Sequence, residues 1–243
     1  MSRSAVIGSA ADAFNAYGRN PVLLLPALAL FLALALFRRA SLVILPHLQT
    51  NLANVLWTFI AALLLLLLVA LSLSLLLALA AEIARHKEPR MRDALRGMRS
   101  YFAQVFSILI IVRVTYALLL FAALGVGNFV RDVLELGNNL AFISAFSVIL
   151  LGFAGGLLFF AFAPAACVFF NQSIWTSIRT SVSFVRANYL PILAASAIVS
   201  FLTFLNQSLL PELAAELLST LVFLPLLALY LCLLLAGNRR KKQ

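Results

Sequence analysis

The run LLLLLLVALSLSLLLALAA, residues 63–81, holds no charged side chain and no alternation of polar with apolar positions. A strand with one face in lipid needs that alternation, whereas a helix satisfies its own backbone groups and tolerates apolar residues all round. Crossing a hydrocarbon layer of about 30 Å takes roughly 20 residues of helix. Six stretches meet this requirement, at approximately 21–38, 55–81, 104–125, 140–168, 190–206 and 217–236. The second and fourth are longer than needed and are expected to tilt or to project beyond the bilayer. The expected fold is therefore all-α, a polytopic integral membrane protein of six transmembrane helices forming a single membrane domain over 1–243. Mean hydropathy of +1.09 and a charged fraction of 11% agree with this class, since soluble domains carry about a quarter charged residues. The apolar run 21–37 is expected to be a retained first span, because the segment before it includes Asp12 and lacks a short basic leader.

Charge is distributed unevenly along this apolar chain. Arg3 and Arg19, the loop 85–99, Arg179 and Arg186, and the tail Arg239–Lys242 hold fourteen of the 18 Lys and Arg residues. Arg38, Arg39 and Arg131 lie on the other side of the expected spans, and Arg113 lies within one. Cations accumulate on the cytoplasmic side, so both termini are expected in the cytoplasm and the protein in the cytoplasmic membrane. A net charge of +10 then reflects loops facing an anionic leaflet, and no basic and aromatic face exists that would suit nucleic acid.

An internal repeat accompanies the charge pattern. Shifted by 83 residues, ALRGMRSYF from Ala94 falls on SIRTSVSFV from Ser177, matching Leu95 with Ile178, Arg96 with Arg179, Ser100 with Ser183 and Tyr101 with Phe184. A weaker copy, AFNAYGRNP at 13–21, resembles SFVRANYLP at 183–191. Three pseudo-repeats follow, at approximately 1–84, 85–170 and 171–243, each an interfacial elbow helix followed by a helical hairpin of two spans.

In the first elbow, Met91, Leu95, Met98 and Phe102 form an apolar stripe, with Arg92, Arg96 and Arg99 on a stripe about 100° away. In the second, Trp175, Ile178, Val182, Val185 and Tyr189 share a side, with Arg179 and Arg186 on another. These five arginines are candidate contacts for anionic lipid, either as specific headgroup ligands or as a solvated topology signal. Arg113 is the candidate intramembrane functional residue, because ionisable groups inside spans are costly. A structural role, a place on a substrate path and a lipid contact all remain open for it, with Glu82 the nearest acidic partner along the chain.

Gly152 and Gly156 have the GxxxG spacing that permits close helix packing, and Pro164 is expected to bend the fourth span. Pro26, Pro191 and Pro225 are expected to act likewise. Arg131 and Glu135 stand at i, i+4 as a surface pair, and His47 reads as a structural histidine near an interface. Cys167 and Cys232 have no ligand spacing and are expected to behave as small hydrophobes. No HExxH, P-loop, GxSxG or clustered His, Cys or carboxylate occurs, so neither an enzyme active site nor a cofactor or metal site is expected.

The segments FAPAACVFFNQSIWTSIRTSVSFVRANYLPIL at 162–193 and AAEIARHKEPRMRDALRGMRSYFAQVF at 80–106 carry a family likeness. The chain resembles six-span bacterial and archaeal membrane proteins related to the membrane domain of glycerophosphodiester phosphodiesterases. In those enzymes the reaction belongs to a separate soluble barrel, and the short tail GNRRKKQ leads to the expectation of a stand-alone membrane domain. The acidic residue usual after FAPAACVFF is replaced by Asn171 and Gln172. The function expected from the sequence is a non-enzymatic scaffold or accessory subunit organising lipids or a membrane protein complex. Its partners would be anionic membrane lipids together with a membrane protein or a second copy of the chain. The alternative is a small transporter or channel for an anionic or lipid-like substrate.

Overall fold

The computed structural model describes residues 3–44, 51–85, 88–134, 137–152, 156 and 158–240. Among them all regular structure is helical. In chain order the helices are α1 (Arg3–Arg19), α2 (Leu24–Ile44), α3 (Asn51–Ala84), α4 (Met91–Asp132), α5 (Asn138–Gly152), α6 (Leu158–Phe160), α7 (Ala163–Phe170), α8 (Ile174–Ala187), α9 (Tyr189–Leu209), α10 (Glu212–Leu218) and α11 (Leu224–Arg240). A 3-10 turn, Pro21–Leu23, leads into α2, and a π turn, Ser219–Phe223, leads into α11. Four helical segments are long and apolar enough to cross a membrane: Pro21–Ser41, Leu52–Ala84, Met91–Asp132 and Ala214–Gly237. The bent pair α8 and α9 makes a fifth if counted as one span, and α5 is apolar but only 15 residues long.

The two segments expected to be repeated elbows differ in shape. The second is a separate helix, α8, which meets the next helix at 96°. The first is not separate: residues from Met91 onward run without interruption into the apolar stretch, giving one helix of 42 residues. Proline decides the difference. Pro191, in the first turn of α9, lacks an N–H and its ring crowds the carbonyl four residues earlier, so α8 ends at Ala187. The residue 83 positions before Pro191 is Ile108, which lets α4 continue.

The break before α9 has a close parallel before α2. Asn20 and Asn188 each donate a side-chain N–H to the carbonyl four residues earlier, Ala16 at 2.7 Å and Phe184 at 2.9 Å. Each also offers its own carbonyl to the following helix, to the N–H of Leu23 in one case and of Ile192 in the other. Helix ends leave carbonyls unpaired, and an asparagine at the corner covers one while the chain turns.

The principal core lies at the end of the bundle that carries the basic residues. It joins Leu76–Ala84 of α3, Val168 and Phe169 of α7 and Leu229–Leu235 of α11 to Ala13 of α1, Ala94 and Val105 of α4 and Phe184 and Val185 of α8. α3, α7 and α11 touch one another, and one elbow segment lies along each: α4 on α3, α8 on α7, and α1 on α11. The hydroxyl of Tyr17 donates to the carbonyl of Leu221 at 2.7 Å. Pro225 has no N–H to give that carbonyl, so the elbow supplies the missing donor.

Burial revises both apolar stripes. On α4 the buried face is Ala94, Val105 and Ile108, with Met91 and Tyr101 packed against the core, and Leu95 is 43% exposed. On α8 the buried face is Ser177, Ile178, Ser181, Phe184 and Val185, and Trp175 is 70% exposed. Side-chain size and polarity misled the periodicity here, because small Ala and Ser can be buried wherever a neighbouring helix comes close.

The fourth apolar stretch is interrupted rather than simply bent. α7 begins at Ala163 with Pro164 in its first turn, where proline needs no donor. The two glycines at GxxxG spacing have different surroundings among the described residues. A Cβ on Gly152 would collide with Leu119 of α4, whereas nothing among the described residues lies within 4 Å of the corresponding point on Gly156. A second close approach of α4 and α5 occurs at Gly127 of α4, where a Cβ would lie 3.2 Å from that of Ala145 on α5.

Candidate functional site

Polar side chains converge at the corner between α7 and α8. Asn171 turns the chain there with φ of 53°, a left-handed conformation that asparagine tolerates better than most residues. The corner is tied down from several helices. The thiol of Cys167 reaches Gln104 Oε1 of α4 at 2.9 Å, and the hydroxyl of Thr180 donates to Gln172 Oε1 at 3.0 Å. Ser177 donates to the carbonyl of Ser173 at 2.8 Å. Ser181, fully buried, donates to the carbonyl of Phe159 beside the break that precedes α7.

Arg85, just beyond α3, attaches a third helix to this corner. Its guanidinium donates to the carbonyl of Phe169 and lies 5.2 Å from the centroid of that residue's ring. The last carbonyls of α7 have no partner within the helix and carry the negative end of its dipole, so a cation is favoured there. Beside Arg85 opens a cleft of about 520 Å³ lined by Glu82, Glu88, Arg90 and Asp93 as well. Glu82 Oε2 accepts the backbone N–H of Arg90 at 3.1 Å, closing the loop between α3 and α4. Glu82 thus serves this loop, and it has no bond to Arg113.

The arginines expected to contact lipid all face outward. Arg92, Arg96 and Arg99 are exposed on α4, and Arg179 and Arg186 on α8. Arg113 is also exposed, on the outer surface of α4, and forms no hydrogen bond or ion pair among the described residues. It does not line the acidic cleft. Arg131 pairs with Asp132 at 2.7 Å, while Glu135, its expected partner, and His47 lie outside the described residues. Asn206 of α9 is buried and donates to the carbonyl of Ala215 at 2.9 Å. Among the described residues no group of three or more His, Cys, Asp or Glu is placed to hold a metal ion.

Gln104, Ser181 and Arg85 did not stand out in the sequence, and Gln172 did so only as a departure from the family pattern. Each belongs to a segment dominated by another signal, and only the approach of a second helix gives it a partner. No family model, curated protein or solved structure matches the chain.

Proposed function

We propose that the chain is a non-enzymatic, six-pass scaffold or accessory subunit of the cytoplasmic membrane, with both termini and the basic end on the cytoplasmic side. The observation that carries this reading is the division of labour among polar groups at the basic end. Arg85, Gln104, Cys167 and Ser181 hold helix ends to one another and Gln172 and Ser177 fix the turn into α8, while Arg92, Arg96, Arg99, Arg179 and Arg186 face outward. The first set rigidifies the cap, and the second offers guanidinium groups to phosphates of an anionic leaflet or to an acidic partner.

The threefold repeat belongs to the same reading. It is supported by the packing of one elbow segment on each of α3, α7 and α11, and by the matching Asn20 and Asn188 corners. The elbow segment α1 lies on α11, as expected of a closed ring of three units. The end of α1 meets the start of α11 through Tyr17 and Leu221, which favours both chain termini on one side. The likeness to the phosphodiesterase membrane domains is a further part of this proposal.

Purification from native membrane followed by native mass spectrometry tests it. Bound anionic lipid or a stoichiometric membrane partner is expected, and Arg92→Gln, Arg96→Gln and Arg99→Gln together should lower lipid retention without changing insertion. Each removed cation is worth about 1 kcal/mol near an anionic surface. Solute flux through liposomes of pure protein, abolished by Arg113→Ala, would replace the scaffold with a transporter.

A further inference from the structure

Large exposed apolar side chains occupy only part of the length of each long helix. On α3 they run from Leu52 to Leu67 and stop, and from Ala70 to Ala84 the residues are buried or half-buried. On α4, apart from Leu95, they run from Ile110 to Phe129. On α2 they begin at Leu24, after Arg19, and on α9 at Leu190, after Arg186. The other half of the molecule keeps most of its apolar residues in the core and shows polar or basic faces on α1, the start of α4, and α8, broken only by the single exposed side chains Phe14, Leu95 and Trp175 among the described residues. An apolar surface this continuous is stable against lipid and costly against water.

Arg113 lies at the edge of that band. It is separated from Arg131, near the far end of α4, by residues 114–130, none of which is charged. At about 1.5 Å per residue the two guanidinium-bearing positions are about 27 Å apart along the helix, close to the hydrocarbon thickness of about 30 Å. An exposed arginine with no partner among the described residues is costly in mid-bilayer and is relieved at the boundary, where its side chain reaches phosphate.

We propose that Arg113 is a phosphate anchor at the hydrocarbon boundary, that α4 crosses the bilayer between Arg113 and Arg131, and that the basic half of the bundle projects from the membrane as a packed helical cap. The partner of Arg113 is the phospholipid phosphate layer, whatever the headgroup. The segment Met91–Val112 then stands outside the hydrocarbon, with Val105 and Ile108 in the core of the cap, Leu109, Ile111 and Val112 packed against it, and Ile110 exposed at the boundary. This inference rests on the membrane reading above and moves the inner boundary that hydropathy alone sets near residue 104.

The test is a depth profile of the full chain in phosphatidylcholine vesicles. Single nitroxide labels are placed at exposed α4 positions 103, 110, 114, 118, 121 and 129, with the buried native cysteines left in place. The ratio of oxygen to nickel-chelate collisions is expected to peak near residue 122, with position 103 in water. A peak near residue 115, about 10 Å away along the helix, would overturn the proposal while leaving the membrane reading intact. A flat profile would overturn both. A second scan along α3 should peak near residue 60 rather than near 68, so a label that disturbs α4 does not decide the matter. Arg113→Leu should move the α4 peak several residues toward position 103, and an unmoved peak would remove the anchoring role. Profiles should coincide with and without anionic lipid, and a peak that appears only with anionic lipid would refute a general phosphate contact.

Discussion

The start of α4 and the helix α8, the two segments expected to be repeats of one another, differ in shape. ALRGMRSYF continues straight into the next apolar stretch, whereas SIRTSVSFV ends in a 96° corner. Both segments place small or apolar residues on a buried face and arginines outside. Amphipathic pattern therefore decides which face is buried. Whether the helix then stops depends on two positions: Asn188 and Pro191 in one copy, Val105 and Ile108 in the other. Val105 and Ile108 are themselves fully buried, so the straight helix spends on packing the positions that the bent one spends on turning.

The most severe way to break this comparison is to give the first copy the proline of the second. Ile108→Pro removes a backbone bond inside α4 and a buried side chain from the core, and is expected to cost about 3 kcal/mol or more. Loss of monodisperse protein in detergent, or a large fall in unfolding temperature, would register it. Stability unchanged from wild type would mean that continuity of α4 is unimportant.

Ser181→Ala should have a smaller effect. It leaves the carbonyl of Phe159 without its side-chain donor beside the broken start of α7, at about 1–3 kcal/mol. Chemical denaturation in detergent would measure this, and the variant should also increase hydrogen exchange in α7 before it does so in α4. Arg179→Gln, on the exposed face of α8, is expected to change stability by no more than about 0.5 kcal/mol. A large loss from that variant would show that the outward arginines hold the fold together as well as facing its surroundings.

The candidate site was only partly legible along the chain. The outward arginines were readable because charge on an apolar chain has few places to go, and Arg113 stood out for the same reason. Arg85 sat among other basic residues of one loop, with nothing to distinguish it until the carbonyl of Phe169 was placed beside it. Cys167 and Gln104 are 63 residues apart and acquire a relation only when α7 packs on α4. The GxxxG spacing marked Gly152 as a place for close helix approach, but which side chain approaches it, Leu119 of α4, could not be read from the spacing.

By itself the sequence determined that the chain is helical, apolar enough to cross a membrane several times, and basic at recurring intervals. Those properties follow from local composition, since backbone satisfaction in lipid and the period of a helix depend on residues close in the chain. Tertiary structure decided which apolar residues face outward and which fill a core, because Leu and Ala look the same along the chain in either place. The exposed run Leu52–Leu67 and the core run Leu76–Ala84 belong to one uninterrupted helix. The arrival of α4, α7 and α11 beside its second half distinguishes them.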